Sequence, residues 1–364
     1  MIRSRSSTTS SSADARRLAL VAAFALLAAA LPAAAAAHRQ DRLLLADPYP
    51  IEAVPSFPGG LFHWIDSLAG TTPGKTVPAH RAEYLRLFGP LTGEDGVQLE
   101  AFVAARAEHA QREAAEALRD GVPPRASAML GIFCGSATVD AALARLKPEL
   151  TRNAWDGLAG ALAHFRSRYE VVWNDGAVPR DFLERARRDP GRPQLAALLA
   201  KIVRFYDVDP LAVPPPRLAL VPVPGGFGTH AEAIGGVLLL EIRSGDQLAD
   251  EASVVVHENS HFLWNLVPAD RQRRLAGFAA GLEDDGARTF RLFGEAIPTA
   301  LGQGVADRLF RPARWSPDGP WYHTSDVDAC AKRIYATISS ALDEGLTLDE
   351  KLVHRAIQAA DGPH

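Results

Sequence analysis

Two histidines and a glutamate in Val254-Val255-Val256-His257-Glu258-Asn259-Ser260-His261-Phe262-Leu263 have the types and spacing for metal-dependent chemistry. On an α-helix, positions i and i+4 share a face with Cβ atoms about 5–6 Å apart, so both imidazoles can reach one ion. Glu258 projects from the adjoining flank, where a carboxylate can take a proton from a water that the ion polarises. Neutral imidazole nitrogens suit Zn2+, one ion per chain, with an open position left for water or substrate. The competing explanation is a helix whose histidines are ordinary core or surface residues. Three valines before the motif and Phe262-Leu263-Trp264 after it imply a buried helix, where polar side chains without a ligand carry a desolvation cost.

At these residues the chain resembles the zincin metallopeptidases. The metzincin extension, H-E-x-x-H-x-x-G-x-x-H, is absent, because FLWNLVPADR follows His261 with no glycine or histidine at the required places. The resemblance is better to the gluzincins, which add a glutamate from a later helix. Candidates for that third ligand are Glu295 and Glu283, with Asp284 and Asp285 behind them. Glu283 belongs to GLEDDG, a crowded acidic stretch that reads as a solvated loop. Glu295 is a lone carboxylate among apolar residues in LFGEAIPTALGQG, and that segment resembles the E-A-x-x-x-A-L-G helix of several bacterial gluzincin-like proteins. Glu295 is therefore preferred. Pro298 places the start of this helix near Gly294, since proline is tolerated in a first turn. The spacing is longer than in the best-known gluzincins, and Thr299 stands where some of them carry an aspartate. The resemblance spans roughly residues 216–340.

A zincin implies a donor for the oxyanion of the tetrahedral intermediate. WYHTSDVDACAKRIYAT offers Tyr322, His323 and Tyr335. Tyr322 and His323 precede a helix in a loop that can close over a cleft, whereas Tyr335 has helical spacing with Ile334 and suits the core. His230, between two strands, can line the substrate edge or be merely exposed. The strand at 236–242, GVLLLEI, is expected to run along the cleft and pair with an extended peptide, or else to serve as an ordinary core strand. His38, His63, His80, His109, His164, His354 and His364 show no ligand spacing.

The elements that must position these residues follow from periodicity. Residues 38–77 are rich in proline and glycine and read as an extended segment with at most a short helix near 61–68. From 78 to about 210 the apolar spacing is helical. After Pro210 come two short strands, a turn at GGFGTH, and the motif helix from about Gln247 to Leu266 with Asp246 as its cap. Further helices are expected at 269–281, 294–302, 325–343 and 347–359. The fold class is helix-dominant α+β: a helical region at 78–210 precedes a gluzincin-like catalytic region at 211–364, which holds a small β-sheet and the active-site helix.

The chain has 364 residues, 47% hydrophobic and 23% charged, with a formal net charge of -4. That composition is globular, and the lack of a dense basic stripe excludes nucleic acid as the main partner. Residues 1–37 read as a bacterial signal peptide: Arg16-Arg17, the apolar run LALVAAFALLAAAL, then Pro32 and small residues. The apolar run approaches the length of a membrane anchor, but Pro32 and the alanine-rich exit favour cleavage, and no membrane contact is expected afterwards. The expected destination is the periplasm or the medium. There a disulfide between Cys134 and Cys330 is reasonable, with two buried thiols as the alternative. Together these features point to zinc-dependent hydrolysis of a peptide or protein substrate. The alternatives are an inactive zincin-like binding module and a metal-dependent hydrolase of a non-peptide amide.

Overall fold

Among the described residues, five short strands form one mixed sheet in the order β1-β2-β3-β5-β4: β1 (Leu43–Leu44), β2 (Glu52–Pro55), β3 (Arg217–Pro222), β4 (Ala231–Ile234) and β5 (Val237–Ile242). Pairings β2–β3 and β3–β5 are parallel, while β1–β2 and β4–β5 are antiparallel. The β4–β5 hairpin turns on Gly235 and Gly236, whose φ values of 51° and 95° are accessible to glycine at little cost. The computed structural model describes residues 42–45, 51–71, 76–120, 128–209, 215–225, 230–282 and 285–361. The expected signal peptide lies outside them. Among the described residues no helix is long and apolar enough to cross a membrane.

Among the described residues, eight α-helices are laid down before β3: α1 (Phe57–Ala69), α2 (Val77–Phe88), α3 (Gly93–Asp120), α4 (Ala128–Cys134), α5 (Val139–Leu146), α6 (Arg152–Trp173), α7 (Ala177–Arg188) and α8 (Arg192–Tyr206). After β5 come α9 (Leu248–Leu266), α10 (Ala269–Ala280), α11 (Gly286–Thr299), a π-helical stretch (Ala300–Ala306), α12 (Asp307–Phe310), α13 (Ser325–Glu344) and α14 (Glu350–Asp361). The helix-dominant α+β class is thus what the chain adopts.

Strand alternation divides the interior into two cores. Leu218, Leu220, Leu238, Leu240 and Ile242 face one core, with α7 to α11, α13 and α14. Ala219, Val221, Val237 and Leu239 face the other, with α1 to α6. Side chains at successive strand positions point to opposite faces, so the sheet is the wall between the two cores.

Three expectations are corrected by this layout. Residues 38–77 are more than an extended segment: they contribute β1, β2 and the 13-residue α1, capped by Ser56. The helix forms because Leu61, Phe62, Trp64, Ile65 and Leu68 make a buried stripe that outweighs its two glycines. Position 210 is no physical boundary either, since β2 from the early chain pairs with β3 and Leu43–His364 forms one compact unit. Finally, Cys134 and Cys330 are free and buried. They belong to the two different cores, so the sheet stands between them and precludes a disulfide.

Candidate metal centre

The motif sits on α9, which covers the β5 face through Val255, Val256, Phe262 and Leu263. Its cap is Gln247, one residue beyond the expected Asp246. The Gln247 side chain accepts from the third helical residue, Asp250, whose carboxylate accepts from the Gln247 amide in return. Asp246 instead accepts from the backbone N–H of Arg243 in the preceding turn.

Glu295 comes from α11, which begins at Gly286, well before the start that Pro298 suggested. Pro298 lies near the C-terminal end of this helix, and the chain then widens into the π-helical stretch that begins at Ala300. The wider turn is compatible with a residue that donates no N–H bond and crowds the preceding carbonyl. Gly302, within that stretch, lies against α9: a Cβ there would stand 2.6 Å from the Ser253 carbonyl oxygen and 3.1 Å from the His257 Cβ. Glycine therefore permits the approach that brings Glu295 and Gln303 to the motif.

Three ligand atoms converge. His257 Nε2 and His261 Nε2 are 3.1 Å apart, and Glu295 Oε2 lies 3.5 Å from the first and 3.4 Å from the second. Tetrahedral ligands bonded at about 2.0–2.1 Å stand roughly 3.3–3.4 Å from one another, so this donor triangle fits a zinc-sized ion. Gln303 Oε1 lies 3.4 Å from His257 Nδ1 and can accept its proton, leaving Nε2 as the lone-pair nitrogen. Tyr322 donates its hydroxyl proton to Glu295 Oε2 at 3.0 Å, with its ring parallel to that of His257 at 6.1 Å.

Electrostatics follow from this geometry. Burial opposes the charge of Glu295, but hydrogen bonding and charge from both histidines prevail and hold its carboxyl well below the usual range. Burial likewise opposes protonation of His261, and Glu295 and Glu258 outweigh it, raising its pKa. The Tyr322 phenol is pushed far up by burial, then by Glu295 and Glu258, so it stays protonated. The charge of Glu258 thus bears on His261, Tyr322 and His230.

The other sequence candidates divide. His323 is exposed and packs against Tyr322, with ring centroids 4.3 Å apart and planes tilted by 34°. Tyr335 packs on Trp315 and Trp321 and accepts from Arg308, as a core residue would. Asp285 precedes α11 at its N-cap position, while Glu283 and Asp284 lie outside the described residues. β5 is paired on both sides and cannot accept a substrate strand; the edge on that side belongs to β4, a strand not expected between the GGFGTH turn and β5. Gln303 was also missed, although a single amide in the small-residue run ALGQG was a visible signal. No family model, curated protein or solved structure matches this chain.

Proposed function

We propose that the chain is an exported, zinc-dependent hydrolase of peptide bonds, with His257, His261 and Glu295 as metal ligands and Glu258 as general base. The observation that carries this reading is the convergence of two imidazole nitrogens and one carboxylate oxygen at 3.1–3.5 Å beside a second glutamate on the same helix. Zinc bound there supplies Lewis acidity, polarising a carbonyl and lowering the pKa of water.

The rest of the chemistry belongs to the chain. Glu258 takes the proton of the attacking water and passes it to the leaving amine as the carbon–nitrogen bond breaks. Tyr322, protonated and already aimed at the ligand cluster, donates a hydrogen bond to the developing oxyanion. Glu295 has a side chain 43% exposed, so the cluster is open on that side to a substrate. A peptide is favoured over a small amide because β4 offers a strand edge beside α9 and follows His230, on which the Glu258 charge bears. An extended chain can pair with such an edge through main-chain hydrogen bonds.

The test is elemental analysis of the purified protein alongside turnover of a mixed peptide library. His257→Ala/His261→Ala and Glu295→Ala should each lose one equivalent of zinc and all measurable turnover. Unchanged zinc in the double variant, or turnover that survives there, would overturn the assignment.

A further inference from the structure

A second cluster of the same donor types lies on the opposite side of the sheet. His63 on α1 and His80 on α2 point their Nε2 atoms at one oxygen, Oε1 of Glu241 on β5, at 2.8 and 2.7 Å. The three residues are 1%, 1% and 0% exposed. Among the described residues, this and the His257 cluster are the two groups of three whose ligand atoms all lie within 4.8 Å of one another. No sequence spacing links the three, because 178 and 161 positions separate the two histidines from Glu241.

Glu241 occupies the strand position that points, with Val237 and Leu239, into the core holding α1 to α6. An ionised carboxylate there costs several kcal/mol unless it is paired. Among the described residues its ion-pair partners are His63 and His80 alone. A cation seated among the three would give this buried carboxylate a full countercharge.

The surroundings also orient the ligands. Oε2 of Glu241 accepts the backbone N–H of His230 at 3.2 Å, which leaves Oε1 as the oxygen facing both imidazoles. The His230 ring stacks on His63, with centroids 5.1 Å apart and planes 9° from parallel. In the present arrangement each Nε2 donates to Glu241 Oε1 and neither Nδ1 has a hydrogen-bond partner, so binding an ion through Nε2 moves the proton of each neutral ring to Nδ1. The present spacing is that of hydrogen bonds. Seating an ion requires the ligand atoms to part by about half an ångström, toward the roughly 3.3–3.4 Å of a tetrahedral set.

We propose that His63, His80 and Glu241 form a second metal site, which takes a divalent first-row transition ion such as Zn2+ and ties α1 and α2 to the sheet. Two imidazoles and one carboxylate are a donor set for such ions, and complete burial suits a structural role. The proposal does not depend on the His257 cluster being catalytic.

The experiment uses the full exported chain, stripped with a chelator, reloaded with excess Zn2+ and freed of unbound metal by gel filtration. The wild type should retain two equivalents, and His257→Ala/His261→Ala should retain one. Adding Glu241→Gln to that double variant should remove the last equivalent, and Glu241→Gln alone should leave one. A double variant that retains no zinc overturns the second site while leaving the first intact; zinc that persists after Glu241→Gln is added also overturns it. Because Glu241→Gln can impair folding, X-ray absorption of the ion held by the double variant gives a separate readout. Two imidazoles and carboxylate oxygen at about 2.0–2.2 Å support the site, while sulfur at about 2.3 Å or scattering without imidazole contradicts it.

Discussion

The two His–His–Glu clusters offer the same kinds of atom on opposite sides of one sheet, yet their surroundings differ in kind. Around His257 and His261 the carboxylate ligand is half-exposed, a protonated tyrosine reaches it, and the charge of Glu258 bears on the site. Around His63 and His80 all three donors are sealed, and among the described residues the further hydrogen bond to the carboxylate comes from a backbone amide. Ligand identity therefore does not decide what such a cluster can do. Chemistry requires an open position, a base and an oxyanion donor, and one cluster has groups suited to these roles. A closed cluster can hold the fold together but cannot admit a substrate.

The comparison breaks most readily at Tyr322. If the open cluster is the reactive one, Tyr322→Phe should keep its zinc and lower kcat by about 10²–10³-fold, the usual cost of losing one oxyanion donor. Steady-state kinetics beside metal analysis checks this; an unchanged kcat would leave the open cluster without its electrophilic partner.

A smaller effect sharpens the contrast from the side of the carboxylates. Glu241 is buried between two imidazoles, which overcome its burial and hold its pKa far down. Glu251, in the first turn of α9, is buried with no hydrogen-bond partner on Oε2, and burial followed by repulsion from Asp246 pushes its pKa up to about 8. With the folded value above the ordinary 4.5, the folded state keeps this proton while the unfolded chain releases it. Its contribution to stability is full below pH 4.5 and is lost as pH rises through about 8. Glu251→Gln should therefore change stability little at pH 4.5 and raise it at pH 8.5, by on the order of 1–3 kcal/mol. Denaturant unfolding at the two pH values measures this, and an equal effect at both would refute it.

What the sequence disclosed of this molecule depended on how local the signal was. His257, Glu258 and His261 lie within one helical turn and a fraction, so their grouping was readable from spacing alone. Glu295 was reached through its isolation among apolar residues, although Pro298 suggested too late a start for α11; the π-helical stretch that follows is invisible to a 3.6-residue pattern. Short strands hid in loop-like composition: β2 in a proline-rich stretch, and β4 beside glycines. The His63, His80 and Glu241 cluster had no local signature, since only the pairing of the sheet and the packing of α1 and α2 on it bring these residues together. For the cysteines, separation along the chain said nothing about the sheet that stands between them.

The central claim rests on Glu258, and Glu258→Gln tests it most directly. The amide preserves size and hydrogen bonding but cannot accept a proton from water. Zinc content and kcat/KM on a confirmed peptide substrate should be measured on the same preparations of wild type and variant. The account predicts unchanged zinc and a loss in kcat/KM of at least about 10²–10⁴-fold, the range of a general base. Activity within about tenfold of wild type, with the metal in place, would contradict it.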